Sequence, residues 1–134
     1  MDTEASRQLI LDYYSAVETG DTSAVERILA EDVEWVPPVS APLDGPFRGR
    51  ATILDEMHKA ADRFFDLTQA QGGPSKLIAD GDTVVAIYDL RCKAVNGRDY
   101  SNRYIWIFTC SDGRISRMEE HTDTLKFHRI VMER

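Results

Sequence analysis

Few side chains in this sequence combine acid–base chemistry with a position that could hide them from water, and Glu120 is the first of them. It lies in the segment Met118-Glu119-Glu120-His121-Thr122, downstream of runs that supply Tyr88, Tyr104 and Trp106. A carboxylate set among Tyr88, Tyr104, Trp106 and Met118 loses hydration, so its pKa rises toward the range where a general acid or base works at neutral pH. The alternative is a hydrated Glu120 near a cavity mouth, bonded to Tyr13 or Tyr104. Tyr13, Tyr88 and Tyr104 offer hydroxyl donors for a developing oxyanion. Trp35, Phe64, Trp106 and Met118 are the apolar groups that would line a ligand site or serve as core.

The remaining reactive residue types fit less chemistry. Among the three histidines, His58 lies beside Met57 on a helical segment and can face a pocket or solvent. His121 falls on the outer face of the last strand near Arg103, and His128 is in the C-terminal tail. No two histidines share a metal-ligand spacing with a carboxylate, so no metal is expected. There is no nucleophile elbow, and Gly45-Pro46-Phe47-Arg48-Gly49 lacks the lysine and helix context of a phosphate loop, so no cofactor is expected either. Cys92 and Cys110 sit in strand-like runs without a paired Cys-x-x-Cys and read as buried free thiols. Asp123-Thr124 reads as closing the last strand through side-chain to backbone bonds.

The elements that must position these groups follow from periodicity. Leu9, Ile10, Tyr13 and Val17 recur at helical spacing over Glu4–Thr19, with Thr3 as N-cap and Gly20 as terminator. Asp21 caps a second, shorter helix ending near Glu31, with Val25, Ile28 and Leu29 on one face. Val33–Val36 is a short strand that stops at Pro37-Pro38, and the proline- and glycine-rich stretch 37–49 is a loop able to rim a pocket. A third helix over 51–67 carries Ile53, Leu54, Met57, Ala60, Ala61, Phe64 and Phe65 on one face, before Gly72-Gly73-Pro74 breaks the chain. From Ser75 to Asp123 the pattern is an antiparallel meander turning at Asp80-Gly81-Asp82, Asn96-Gly97 and Ser111-Asp112-Gly113.

Register decides which of these side chains share a face. A three-residue loop Val95-Asn96-Gly97 pairs even with even, setting Tyr88 against Tyr104 and Asp89 against Arg103, whereas a two-residue turn mixes polar and apolar on both faces. The same geometry at Ser111-Asp112-Gly113 sets Trp106 opposite Met118 and Tyr104 opposite Glu120, so that Tyr88, Tyr104 and Glu120 form one row. The other face gathers Val85, Ile87, Ile105 and Ile107 inside a charged rim. An apolar patch of that kind, left uncovered by the helices, suggests a homodimer through the outer sheet face.

Helix, Gly20-Asp21, helix, Ala30-Glu31-Asp32-Val33-Glu34-Trp35, Phe47-Arg48-Gly49-Arg50 opening a helix, Asp112-Gly113-Arg114-Ile115 and Glu119-Glu120-His121-Thr122-Asp123 follow one another in this order. In that order the chain resembles the nuclear transport factor 2-like superfamily, with ketosteroid isomerase, limonene-epoxide hydrolase and the SnoaL-like polyketide cyclases. The resemblance implies an α+β fold: three N-terminal helices packed on a curved mixed, mostly antiparallel sheet, forming a cone with an internal apolar pocket (the cystatin-like α+β roll). It implies one SnoaL-like domain over 1–134. Tyr13 is similar to the first-helix tyrosine that donates to the oxyanion in the isomerase, but Pro37 stands at the position of its base and Trp106 at that of its second acid. The Asp-Arg-Asp set of the hydrolase is also incomplete, since Ala86, Tyr88 and Leu90 face inward here. Glu120 resembles the inward last-strand carboxylate of the hydrolase and the cyclases, which use Asp.

Composition narrows the class further. At 134 residues, 43% hydrophobic and 29% charged, the chain has the make-up of an ordinary soluble domain. A net charge of -7 with scattered Lys and Arg argues against nucleic acid as partner. The acidic Met1-Asp2-Thr3-Glu4 start and the lack of an apolar run of about 18 residues point away from a signal peptide or membrane span and toward the cytoplasm. Two functions remain open: a cofactor-independent isomerase, cyclase, dehydratase or hydrolase acting on a small apolar or polyketide-like molecule, and a non-catalytic ligand-binding or dimeric interaction module.

Overall fold

A computed structural model describes residues 1–133. Helix α1 (Thr3–Thr19) starts one residue earlier than the spacing predicts, because Asp2 is the cap: its Oδ1 accepts from the Ala5 backbone N–H at 2.8 Å. Thr3 is thereby free to accept from the Gly81 N–H through its Oγ1, which ties the helix to a distant turn at 2.9 Å. Gly20 ends α1 in the left-handed conformation, at φ 70. Asp21 caps α2 (Thr22–Ile28), which stops short of Glu31 because Leu29 already enters the first strand, β1 (Leu29–Val36).

After the loop, the two-residue strand β2 (Phe47–Arg48) pairs antiparallel with β1 and leads into α3 (Arg50–Phe64). This helix ends three residues before Leu67, since Phe65 begins the edge strand β3 (Phe65–Asp80). Gly72-Gly73-Pro74 does not break the chain. It lies inside β3, where an edge strand tolerates proline and two irregularities, between Asp66 and Gln71 and between Pro74 and Lys76, absorb the misfit. Gly72 passes so close to the neighbouring strand that an added Cβ would stand 2.4 Å from the Asp89 carbonyl oxygen.

Strands β4 (Thr83–Ala94), β5 (Asp99–Ser111) and β6 (Arg114–Thr122) complete a six-stranded sheet in the order β2-β1-β6-β5-β4-β3. Among the described residues only the β1–β6 pairing is parallel. The short helix α4 (Thr124–Phe127), capped by Asp123, and a π-helical turn (His128–Met132) follow. The α+β architecture is the expected one, with helices on one face of a mixed sheet.

The β4–β5 register is the three-residue-loop register: Tyr88 opposes Tyr104 and Asp89 opposes Arg103, joined at 2.8 Å. The β5–β6 register differs from the expectation. Asp112 and Gly113 both take positive φ, 53 and 77, and make a two-residue turn of the mirror-image type that Asp-Gly favours. One extra residue, Ser116, then bulges between the pairs Cys110–Ile115 and Thr109–Arg117. Trp106 therefore opposes Glu120, Tyr104 opposes Thr122, and Phe108 opposes Met118. The bulge restores even-with-even pairing, so Glu120 keeps its inward direction but sits two pairs along the ladder from Tyr104.

Two buried clusters form the interior. The larger joins Ile10, Tyr13 and Ala16 of α1 to Val33, Trp35, Phe108, Ile115 and Met118 of the sheet. The smaller gathers Phe64, Tyr100, Tyr104, Phe127 and Val131. Leu43 and Trp106 pack against both.

Candidate functional site

A cavity of about 290 Å³ draws its lining from both clusters. Tyr13, Tyr14 and Val17 of α1 form one wall, and Met57, Ala60, Ala61 and Phe64 of α3 another. Pro38, Ala41, Pro42 and Leu43 show that the loop before β2 does border the cavity. The sheet contributes Trp35, Tyr88, Leu90, Tyr104, Trp106, Glu120 and Thr122, and the C-terminal segment adds Thr124 and Phe127. That volume lies at the low end of small-molecule sites, and the surface is largely apolar, with many aromatic rings.

Glu120 is the one carboxylate among these residues. Its side chain is 9% exposed and takes a single hydrogen bond among the described residues, donated by the Trp35 indole Nε1 to Oε1 at 3.0 Å. Burial pushes its pKa from 4.5 up to about 7, and the Trp35 bond opposes that rise only in part. The mouth-of-cavity alternative for Glu120 is corrected: its partner is Trp35, supplied by β1 from beside β6, and neither Tyr13 nor Tyr104 bonds to it. Oε2 carries no protein partner among the described residues, so one oxygen is left to meet a bound molecule.

The tyrosines fall into two groups. Burial, then the Glu120 and Tyr88 charges, push the Tyr13 phenol up to about 12, so it remains a proton donor at any working pH. Tyr14 is next to it, stacked on Tyr88 with ring centres 5.5 Å apart, and its buried hydroxyl has no hydrogen-bond partner among the described residues. Burial pushes the Tyr14 and Tyr88 phenols up as well. Tyr104 belongs to the second group: its hydroxyl meets that of Tyr100 at 2.7 Å, and Tyr100 accepts from Asn102 Nδ2 at 2.8 Å.

Of the residues expected from sequence, Tyr13, Trp35, Phe64, Tyr88, Tyr104, Trp106 and Glu120 line the cavity together. Two do not. His58 projects from the solvent side of α3, 79% exposed, and pairs with Asp62 at 3.4 Å one turn on. A helical residue next to the apolar stripe turns 100° away from it, which is what carries His58 outside. Met118 is fully buried opposite Phe108, packed in the larger cluster away from the cavity lining. His121 lies outside as expected, but its partner is Glu119 at 2.7 Å.

Sequence reasoning missed Tyr14, Leu43, Thr122 and Phe127. Tyr14 had a signal, since it flanks Tyr13 on a helix whose apolar stripe is already wide. Phe127 had none within its own segment, where too few residues surround it to show a period. The Asn102–Tyr100–Tyr104 chain also went unseen, because alternation shows which side chains share a face but not which polar atoms meet.

No curated protein matches the chain in sequence. In structure it is similar to an NTF2-like protein from Burkholderia thailandensis, at 23% identity over 100% of each chain with TM-score 0.85. It is similar to TerC co-crystallised with polyporic acid, at 24% identity over 96% of this chain and 99% of the other, TM-score 0.82. A Xanthomonas campestris protein with a cystatin-like fold aligns at 22% identity over 94% of this chain and 95% of the other, TM-score 0.75. These likenesses concern the fold. Residues 10–118 match the family model of the SnoaL-like domain, and the chain therefore belongs to the SnoaL-like domain family, within the NTF2-like superfamily.

Proposed function

We propose that the cavity binds a small, largely apolar molecule and that Glu120 exchanges a proton with it, in a cofactor-independent isomerisation, cyclisation, dehydration or hydration. The observation that carries this reading is the burial of Glu120 with one free oxygen in an aromatic cavity, which brings its pKa to about 7. Such a carboxylate is half ionised at neutral pH and can both take and return a proton. With a carbonyl substrate, the Glu120 carboxylate takes the proton from the carbon next to the carbonyl. The electron pair moves to the carbonyl oxygen, and a tyrosine hydroxyl donates a hydrogen bond to the resulting enolate. TerC, which shares the fold, was crystallised with polyporic acid, a precedent for a small organic ligand on this scaffold.

The test is deuterium exchange. Wild type incubated in D2O with a panel of aryl ketones and 1,3-diketones is expected to exchange the acidic C–H, followed by proton NMR, with a rate rising to a plateau above pH 7. Glu120→Gln is expected to lose the exchange. A panel that binds but exchanges no faster than buffer sinks the catalytic reading.

A second reading, a ligand-binding module without catalysis, is favoured by Glu120 being the one carboxylate that the described residues bring to the cavity lining. Under either reading we propose a homodimer through the outer sheet face, where Val85, Ile87, Ile105 and Ile107 are only half-buried by the described residues. Sedimentation of Ile87→Arg as a monomer, beside a dimeric wild type, is the expected outcome.

A further inference from the structure

Several tyrosines line the cavity, and counting protons on β5 singles out one of them as the group that meets a ligand oxygen. The starting point is Asn102, which is buried and whose amide orientation is fixed by partners of one character each. Its Oδ1 accepts from the Arg103 backbone N–H at 3.0 Å, and its Nδ2 donates to the Asp123 carbonyl at 3.0 Å. The second Nδ2 hydrogen goes to the Tyr100 hydroxyl at 2.8 Å. Tyr100 is 1% exposed, and besides Asn102 its oxygen meets one polar atom among the described residues, the Tyr104 hydroxyl at 2.7 Å.

A phenol carries one proton, and an amide N–H2 cannot accept it. The Tyr100 proton therefore goes to the Tyr104 oxygen. The reverse direction would strand that proton in a core with no acceptor, the costlier arrangement. Tyr104 thus accepts from Tyr100, while its own proton has no acceptor among the described residues, in a side chain that lines the cavity. Burial pushes the Tyr104 phenol far up, so the proton stays on it. Accepting a hydrogen bond also makes the hydroxyl a better donor, since bonds in a chain polarise one another.

We propose that Asn102 and Tyr100 are positioning residues that commit the Tyr104 proton to the cavity, so that the ligand presents there an oxygen acceptor, a carbonyl or its enolate. This deepens the proposed function and rests on the cavity being a ligand site. It also divides the cavity, with an acceptor subsite on the Tyr104 side and proton exchange at Glu120, two cross-strand pairs along the sheet.

The experiment uses two bicyclic probes of matching shape, 2-acetylnaphthalene and 2-ethylnaphthalene, with affinities by calorimetry and the bound ketone's C=O stretch by infrared difference spectroscopy. Wild type is expected to bind both and to shift the C=O stretch to lower frequency. Tyr104→Phe is expected to abolish the shift and weaken the ketone about tenfold, leaving the hydrocarbon unchanged.

Asn102→Asp is the discriminating variant. A carboxylate at 102 accepts the Tyr100 proton, the relay reverses, and Tyr104 turns its proton inward, so the C=O shift disappears although Tyr104 is intact. Tyr100→Phe, which leaves the Tyr104 hydroxyl unanchored, is expected to lose part of the shift and to keep hydrocarbon binding, and it serves should the aspartate variant not fold. An unshifted C=O stretch in wild type, or full shifts retained in Asn102→Asp and Tyr100→Phe, overturn the relay. In either case hydrocarbon binding leaves the cavity reading standing, whereas binding of neither probe overturns both.

Discussion

Replacing Glu120 by Gln isolates the energetic consequence of burying that carboxyl. The group is 9% exposed and titrates near 7 in the folded protein, against 4.5 in an exposed chain. Because the folded state holds the proton more tightly, Glu120 contributes its full stability below about pH 4.5. That contribution is lost progressively as pH rises through about 7 and is then constant. At about 1.4 kcal/mol per pKa unit, the difference over the window is ~3 kcal/mol. Gln stays neutral throughout and keeps an amide oxygen to accept from the Trp35 indole. Urea unfolding of both proteins from pH 4.5 to 9 is the assay. The two are expected to be close in stability at pH 4.5, and Glu120→Gln to be more stable by ~3 kcal/mol at pH 8, with unchanged m-values showing the same two-state transition. Parallel stability curves would refute the reasoning, because they mean that Glu120 is as well hydrated folded as unfolded.

The other predictions are smaller in scope. Trp35→Phe removes the one hydrogen bond that opposes the rise in the Glu120 pKa, so its titration, followed by 13C NMR of the carboxyl, is expected to move above 7. A midpoint that falls instead means the carboxyl has gained water. Gly72→Ala drives a Cβ to 2.4 Å from the Asp89 carbonyl oxygen and is expected to destabilise by about 2 kcal/mol or more in thermal unfolding; a neutral substitution means that β3 separates from β4 there at little cost. Tyr14→Phe deletes a buried hydroxyl without a partner and is expected to raise stability by about 1 kcal/mol. A loss of that size would show that the hydroxyl is bonded to water.

What the sequence made legible followed from strong periodic signals and from turn chemistry. The Asn96-Gly97 loop, with its left-handed glycine, left one register that separated Tyr88, Tyr104 and Trp106 from Asp89 and Arg103, and the strands pair accordingly. At Ser111-Asp112-Gly113 two solutions share the same parity: a three-residue loop, and a two-residue turn followed by a bulge. Parity was all that alternation could test, so Glu120 was placed on the correct face but opposite the wrong neighbour. Gly72-Gly73-Pro74 misled for a related reason. Those residues break central strands, and nothing local marks β3 as an edge, where the same residues are admitted. His58 went astray because a single step on α3 separates the stripe from solvent.

The Ser116 bulge carries a consequence for how this fold can change its chemistry. Glu119 and Glu120 are neighbours with opposite surroundings: Glu119 is bonded to His121 and Arg117 outside, which holds its carboxyl below the usual range, while Glu120 is sealed inside. Which of the two faces the interior depends on a count. Drawing Ser116 into the ladder opposite Thr109 would exchange them, setting Glu119 opposite Trp106 and His121 opposite Tyr104 in the interior and turning Glu120 out to water. Met118 and Thr122, which share the Glu120 face, would turn outward with it. The one-residue bulge thus acts as an address for the acid, and descent within such a fold can relocate or silence the reactive group by absorbing or moving that bulge, with no substitution at Glu120 itself.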